Sequence, residues 1–171
     1  EGLVEIRIIA QQFHWNIHYP GADGIFGRTD PLLIDDQMNL LGLDDEDPNS
    51  ADDVVSRNIM HLPVNRQVLI FLSSKDMVHS LNLPEFRVKQ DAVPGMRIPI
   101  YFTPTMTSIE FAEASGDPDR GFEIACAQLC GNSHYTMKGY VIVESDEEYA
   151  TWIQAEVDAR QQAAEDDDGF F

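Results

Sequence analysis

Within the twelve residues CAQLCGNSHYTM, Cys126 to Met137, the chain carries two thiols, one imidazole and one thioether. Three residues separate Cys126 from Cys130, three more separate Cys130 from His134, and two separate His134 from Met137. Sulfur donors select soft metals, and a thioether beside thiolate and imidazole points to copper in electron transfer. Zinc favours Cys and His and has little use for methionine. A single-copper blue site needs one cysteine, two histidines and a weak axial methionine, so a second cysteine is surplus there unless it forms a disulfide with the first. Two thiolates can instead bridge two copper ions, each of which then needs its own imidazole. His79, in the segment MVHSLNLP, is the candidate for the second one. His14, His18 and His61 are rivals by composition only. Singly these residues are ordinary: a Cys-x3-Cys pair is readily a disulfide, and a lone methionine is core filler. Their joint spacing on one turn between two strand-like segments carries the reading. Such a set moves electrons and makes no bonds, so no catalytic acid, base or nucleophile is assigned.

The elements that must hold this turn read as short strands. Residues 3 to 10 and 15 to 19 read as strands, and strand-like segments follow at 59–63, 67–73, 78–83, 86–90, 97–103, 107–112, 121–125 and 138–144. Turn signals such as SSKD, VPGM, TPT and SGDPD separate them. Many short strands so spaced predict an antiparallel sandwich or barrel. Pro94 and Pro99 mark an edge or turn, because proline cannot donate to a ladder. Residues 29 to 58, with LDDEDPNSADD at their centre, read as a solvated acidic surface insertion with an apolar anchor at Leu40, Leu41 and Leu43. Ser145 and Glu148 stand at capping-box spacing. A helix over about 146–163 follows, with Tyr149, Trp152, Ile153 and Val157 on its packed side, and then an acidic tail, AEDDDGFF, expected to fray. The division is therefore a β domain over 1–145, carrying the insertion, and a helix with tail over 146–171.

The chain has 171 residues, 43% of them hydrophobic, which allows one domain with a real core. No apolar run approaches the roughly 18 to 20 residues of a membrane helix, and the charged start EGLVEIRIIA reads as a strand. Thirty acids against eleven bases give a net charge of −19. Nucleic-acid binding is excluded by this balance, since phosphate contacts need clustered Lys and Arg. Two readings of the acidity stand side by side: a field that steers a basic partner, or adaptation to high salt, towards which 18 Asp against 12 Glu and only three lysines lean.

The segment FEIACAQLCGNSHYTMKGYVIVE resembles the dinuclear copper (CuA) loop of cytochrome c oxidase subunit II. The run VHSLNLPEFRVKQDAVPGM resembles the stretch that supplies that family's first histidine ligand, and QFHWNIHYPGADGIFG resembles its aromatic-rich first strands. The likeness covers most of residues 5 to 155, apart from the acidic insertion. It implies a cupredoxin-like Greek-key β-barrel or sandwich with a C-terminal helix, in agreement with the strand count.

The resemblance implies that Cys126 and Cys130 bridge both coppers, that His79 and Met137 complete one ion, and that His134 and the Gln128 carbonyl complete the other. His134 would face the haem-bearing subunit I. Family members often have glutamate at the Gln128 position, where its carboxylate helps hold magnesium; glutamine lacks that charge. The family's Gln-Trp-x-Trp stretch is here Gln12, Phe13, His14, Trp15, which puts Phe13 where electrons enter from cytochrome c and Trp15 at the more buried position. The resemblance further implies a domain on the outer, periplasmic face of a membrane, attached through helices preceding Glu1 or through partner subunits. Two alternatives share the ligands: the copper domain of a nitrous-oxide-reductase-like enzyme, which typically has an aromatic residue where Gln128 stands, and a copper-delivery protein.

Overall fold

The structure is a computed structural model that describes residues 2–168. Ten strands form two five-stranded sheets. The first sheet is built from β1 (Val4–Gln11), β2 (His14–Tyr19), β3 (Val54–Arg57), β5 (Val68–Ser74) and β8 (Ile98–Phe102), in the order β3-β2-β1-β5-β8. The second holds β4 (Ile59–Pro63), β6 (His79–Leu83), β7 (Val88–Ala92), β9 (Phe122–Cys126) and β10 (Lys138–Glu144), in the order β4-β10-β9-β6-β7. Most neighbours are antiparallel, but β1 runs parallel to β5 and β10 parallel to β4. The expected β-sandwich is therefore what folds.

The two sheets bury a single apolar core. In β1 the alternation is strict: Val4, Ile6, Ile8 and Ala10 point inward, while Glu5, Arg7, Ile9 and Gln11 are half-buried on the other face. This is the period-2 pattern that pins register, because a one-residue slip would turn the whole apolar set outward. Facing it are Leu81, Leu83, Ile124, Val141 and Val143. Pro99 sits in β8, an edge strand of the first sheet, where a missing N–H leaves no gap in the ladder.

Three stretches differ from the sequence reading. Residues 107–112, expected as a strand, lie in helix α1 (Ser108–Ser115) and its N-cap. The apolar alternation Ile109, Phe111 imitates a strand, but Thr107 and Glu110 form a full capping box, which satisfies two free N–H groups at once and fixes a helix start. Residues 29–58 are more structured than a solvated insertion. They contribute β3 to the first sheet, and they bury Leu41, Leu43, Ser50 and Asp53. The C-terminal helix α2 spans Asp146–Asp168, so the first part of the expected tail continues it; residues 169–171 lie outside the described residues.

Ser145 and Glu148 cap α2 through mutual hydrogen bonds of 2.6–3.3 Å. The helix lays Tyr149, Trp152, Ile153 and Val157 against the core. Trp152 stacks on His61 at 3.9 Å and meets Tyr19 edge-on at 5.0 Å. Helix α1 braces the second sheet. Phe111 stacks on Phe122 of β9 at 4.3 Å, and the Ser108 hydroxyl accepts from Val143 N at 2.9 Å. Phe122 begins the strand that ends at Cys126, so α1 supports the strand entering the sulfur-rich turn. Thr107→Ala should lower the unfolding free energy by about 1 kcal/mol and Thr107→Ser by much less. Urea unfolding of the three proteins measures this, and equal midpoints for wild type and Thr107→Ala would show that the capping box adds nothing.

Candidate metal centre

The sulfur-rich turn leaves the second sheet at Cys126 and returns to it at Lys138. Backbone pairing closes its base. Cys126 N donates to Met137 O at 3.2 Å, and Ala127 N donates to Ser80 O at 2.9 Å, which ties the turn to β6. Within the turn, His134–Thr136 form a 3-10 turn held by His134 N to Gly131 O (3.1 Å) and Met137 N to His134 O (3.2 Å). Gly131 has φ +134°, and a Cβ there would lie 2.9–3.1 Å from Gln12 and the Phe13 ring. A glycine is required by both the backbone and the close approach.

This frame brings all six ligand candidates together. The Cys126 and Cys130 sulfurs are 3.8 Å apart and both thiols are free. Around Cys126 lie His79 Nδ1 at 3.9 Å and the Gln128 carbonyl oxygen at 3.1 Å. Around Cys130 lie His134 Nδ1 at 3.5 Å and Met137 Sδ at 3.8 Å. Donor atoms of His79, Cys126 and Cys130 all fall within 4.8 Å of one another. His79, Cys130 and Met137 are buried, His134 is half-buried and Gln128 is exposed.

The rival histidines are committed elsewhere or set apart. His18 is bonded to Asp53 at 2.8 Å, and His61 to Glu144 at 2.8 Å. Neither they nor His14 belongs to the sulfur cluster. Burial, with Arg57 and Lys75 nearby, lowers the His14 pKa.

Two groups missed in the sequence hold this arrangement. Asp76 accepts from His79 Nε2 at 2.8 Å, which leaves Nδ1 directed at Cys126. It also accepts from Gln12 N and Met77 N, each at 2.7 Å. Burial opposes ionisation of Asp76, but these bonds from Gln12, His79 and Met77 outweigh it and hold the carboxyl below its usual range. Gln12 donates from Nε2 to the Cys130 carbonyl at 2.6 Å and lies 3.1 Å from the Met77 sulfur. The signal available in the sequence was an acid three residues before His79, a spacing too common to single out.

Of the aromatic pair, Phe13 is half-buried with its ring on Gly131, and Trp15 is fully buried, edge-on to His79 with ring centroids 6.4 Å apart. Both residues thus touch the cluster, one at its surface loop and one from within.

The donor set suits copper. Burial, then hydrogen bonding and like charge from Cys126, push the Cys130 thiol up to about 11. Two thiolates at this separation need a cation to displace the remaining proton. The soft sulfur atoms and two imidazoles select the kind of cation.

Residues 4–146 match the family model described as cytochrome C oxidase subunit II, periplasmic domain. The chain belongs to the cytochrome c oxidase subunit II family. Among relatives of this family, it is 38% identical over 151 residues to the alternative cytochrome c oxidase subunit 2 of Bradyrhizobium diazoefficiens, covering 88% of this chain and 50% of that protein. It is 29% identical to cytochrome c oxidase subunit 2 of Cereibacter sphaeroides, covering 90% and 50%. The chain therefore spans about half the length of these subunit II relatives. The crystal structure of the periplasmic domain of subunit II from Bradyrhizobium japonicum superposes with a TM-score of 0.60 at 29% identity, over 90% of this chain and 92% of that one. A second structure holds a subunit II domain in a mixed disulfide with a thioredoxin-like protein; it gives a TM-score of 0.58 at 26% identity, over 91% and 92%. The cupredoxin-like fold expected of a subunit II domain is thereby established, and membership implies a copper centre. No described helix is long and apolar enough to cross a membrane.

If Asp76 orients His79 towards the sulfurs, Asp76→Ala should weaken copper binding roughly ten- to a hundredfold. Asp119→Ala, which removes an acid elsewhere, should not. Competition with a copper chelator measures both, and equal affinities would remove Asp76 from the site.

Proposed function

We propose that this chain takes electrons singly from a cytochrome c at a binuclear copper centre and passes them to a haem in subunit I of a membrane oxidase. The observation that carries the reading is the pair of free thiols 3.8 Å apart, flanked by two imidazoles and a thioether. Cys126 and Cys130 would hold both copper ions, with His79 and Met137 serving one and His134 and the Gln128 carbonyl serving the other. Bound copper would supply a one-electron store shared between two ions, so that each changes little on oxidation and reduction.

The protein's own residues do the remaining work. Asp76 fixes the His79 ring, Gln12 pins the Cys130 carbonyl, and buried Met137 closes the inner side of the cluster to water. His134, beside exposed Tyr135, is the side from which electrons leave. Gln128 brings no carboxylate to that surface, so the proposal includes no magnesium ion. The domain works on the periplasmic face of the membrane, and its charge of −19 favours a basic electron donor. In an oxidising compartment, Cys126 and Cys130 would form a disulfide that must be reduced before copper loads. A thioredoxin-like partner, as captured on the related domain, is suited to that step.

The reconstituted chain should bind two coppers, appear purple, and give a paramagnetic resonance spectrum of one electron spread over both ions. Cys126→Ser and Cys130→Ser should abolish that signal, whereas Met137→Leu should keep the pair and shift its potential. One copper per chain with a blue single-ion spectrum would overturn the binuclear assignment.

Phe13 is assigned as the contact where electrons enter, because its ring lies on Gly131, next to Cys130. Phe13→Ala should slow reduction by the cytochrome many-fold with the copper spectrum unchanged, and Trp15→Phe serves as the packing control. An unaltered rate with lowered stability would make Phe13 structural.

A further inference from the structure

A cavity of about 330 Å³ opens on the outer face of the first sheet, beneath the 29–58 segment. Its volume is at the small end of the range that small-molecule sites occupy. Ile9 of β1 and Phe71 and Ser73 of β5 line one side, and Ile34, Leu40 and Leu41 line the other. None of the six assigned metal ligands borders it; His18, which does, is bonded to Asp53 at 2.8 Å.

The cations of this acidic chain are concentrated there. Three of its eleven bases, Arg7, Lys75 and Arg97, line this one cavity. Lys75 is paired with Asp36 at 3.0 Å, and Arg97 reaches Glu5 at 3.4 Å. Arg7 is different: among the described residues its guanidinium makes no ion pair and donates no side-chain hydrogen bond, although it is half-buried. It lies over the Phe26 ring at 3.8 Å, and Arg97 lies over Phe71 at 3.6 Å. Stacking uses the flat faces of the guanidinium groups and leaves their in-plane N–H donors free. Burial, and after it the like charge of Arg97, lower the Arg7 pKa against the opposing pull of Glu5 and Asp53.

We propose that this cavity binds a small monocarboxylate with an apolar body, its carboxylate on Arg7 and Arg97 and its hydrocarbon part against Ile9, Ile34, Leu40 and Leu41. One unpaired cation calls for a single negative charge. The planar guanidinium fork matches a carboxylate, and the aliphatic lining rewards burial of a ring or branched chain more than that of a bare inorganic ion.

Benzoate is the probe, titrated into the 171-residue chain in carboxylate-free buffer at low salt and followed by amide chemical shifts. Saturable shifts at Arg7, Leu41 and Phe71 are expected, with acetate and the neutral isostere benzamide binding more weakly. Arg7→Gln should weaken benzoate binding about tenfold or more, as expected for loss of a charge-assisted hydrogen bond. Ser73→Leu, which fills the cavity without removing a charge, should abolish binding while the copper spectrum stays intact, and it carries the test if Arg7→Gln does not fold. Absence of saturable shifts, benzamide binding as tightly as benzoate, or undiminished binding in Ser73→Leu would overturn the proposal.

Discussion

Two sulfur atoms held 3.8 Å apart, one of them buried, are the constraint around which this molecule is arranged. Without a cation the second thiol resists ionisation, and burial and its neighbour push it in the same direction. The frame around the loop holds the two sulfurs at this separation. The imposition is distributed. The base of the turn is closed by Cys126 N on Met137 O, its flank is tied to β6 through Ser80, and its far side is clasped by Gln12 and Phe13 from the first sheet. Both sheets thus meet at the cluster, and the core between them fixes the distance from Gln12 to Cys130. Helix α1 extends the same logic, since Phe111 on Phe122 stiffens the strand that ends in Cys126.

What the sequence made legible follows from how local each signal is. Two cysteines, a histidine and a methionine within twelve residues form a pattern that needs no tertiary information. The β-sandwich was legible because many short strand-like segments are separated by local turn signals. His79 lies 47 positions from Cys126 and was singled out among five histidines by its segment VHSLNLP and not by spacing within the loop. Asp76 and Gln12 could not be read, because Gln12 meets Asp76 across 64 positions and Cys130 across 118. Helix α1 was hidden for a different reason. Its two large apolar residues, Ile109 and Phe111, stand two apart, the strand period, and the pairing of Thr107 with Glu110 distinguishes the cases.

The acidity also takes a form that counting charges does not reveal. Many carboxylates of the 29–58 segment accept hydrogen bonds from the backbone. Asp30 accepts from Leu32, Asp35 from Gln37 and Met38, Asp47 from Asn49 and Arg28, and Asp52 from Ala22 and Asp23. Those at Asp30, Asp35 and from Asn49 to Asp47 are the short-range bonds by which aspartate builds turns, and those from Arg28, Ala22 and Asp23 tie the segment to residues 22–28. They explain why a stretch that composition marks as solvated holds a defined path. Asp53 goes further: buried, it binds His18 and Gly27 N and anchors the edge of the first sheet. Part of the negative charge is thus structural material as well as a contributor to the field of the whole molecule.

The position of β10 has a consequence for the order in which the protein is made. Among the described strands this one comes last in the chain, yet it lies inside the second sheet, between β4 and β9. Until residue 144 has emerged, β4 lacks its parallel neighbour and the sulfur-bearing turn has an outgoing strand but no returning one. A nascent chain can offer its cysteines before it can hold them apart. Such long-range pairing also makes for slow folding. The donor set of the turn is therefore complete only once β10 has been made, and the interval before that is when its thiols are most exposed to wrong partners.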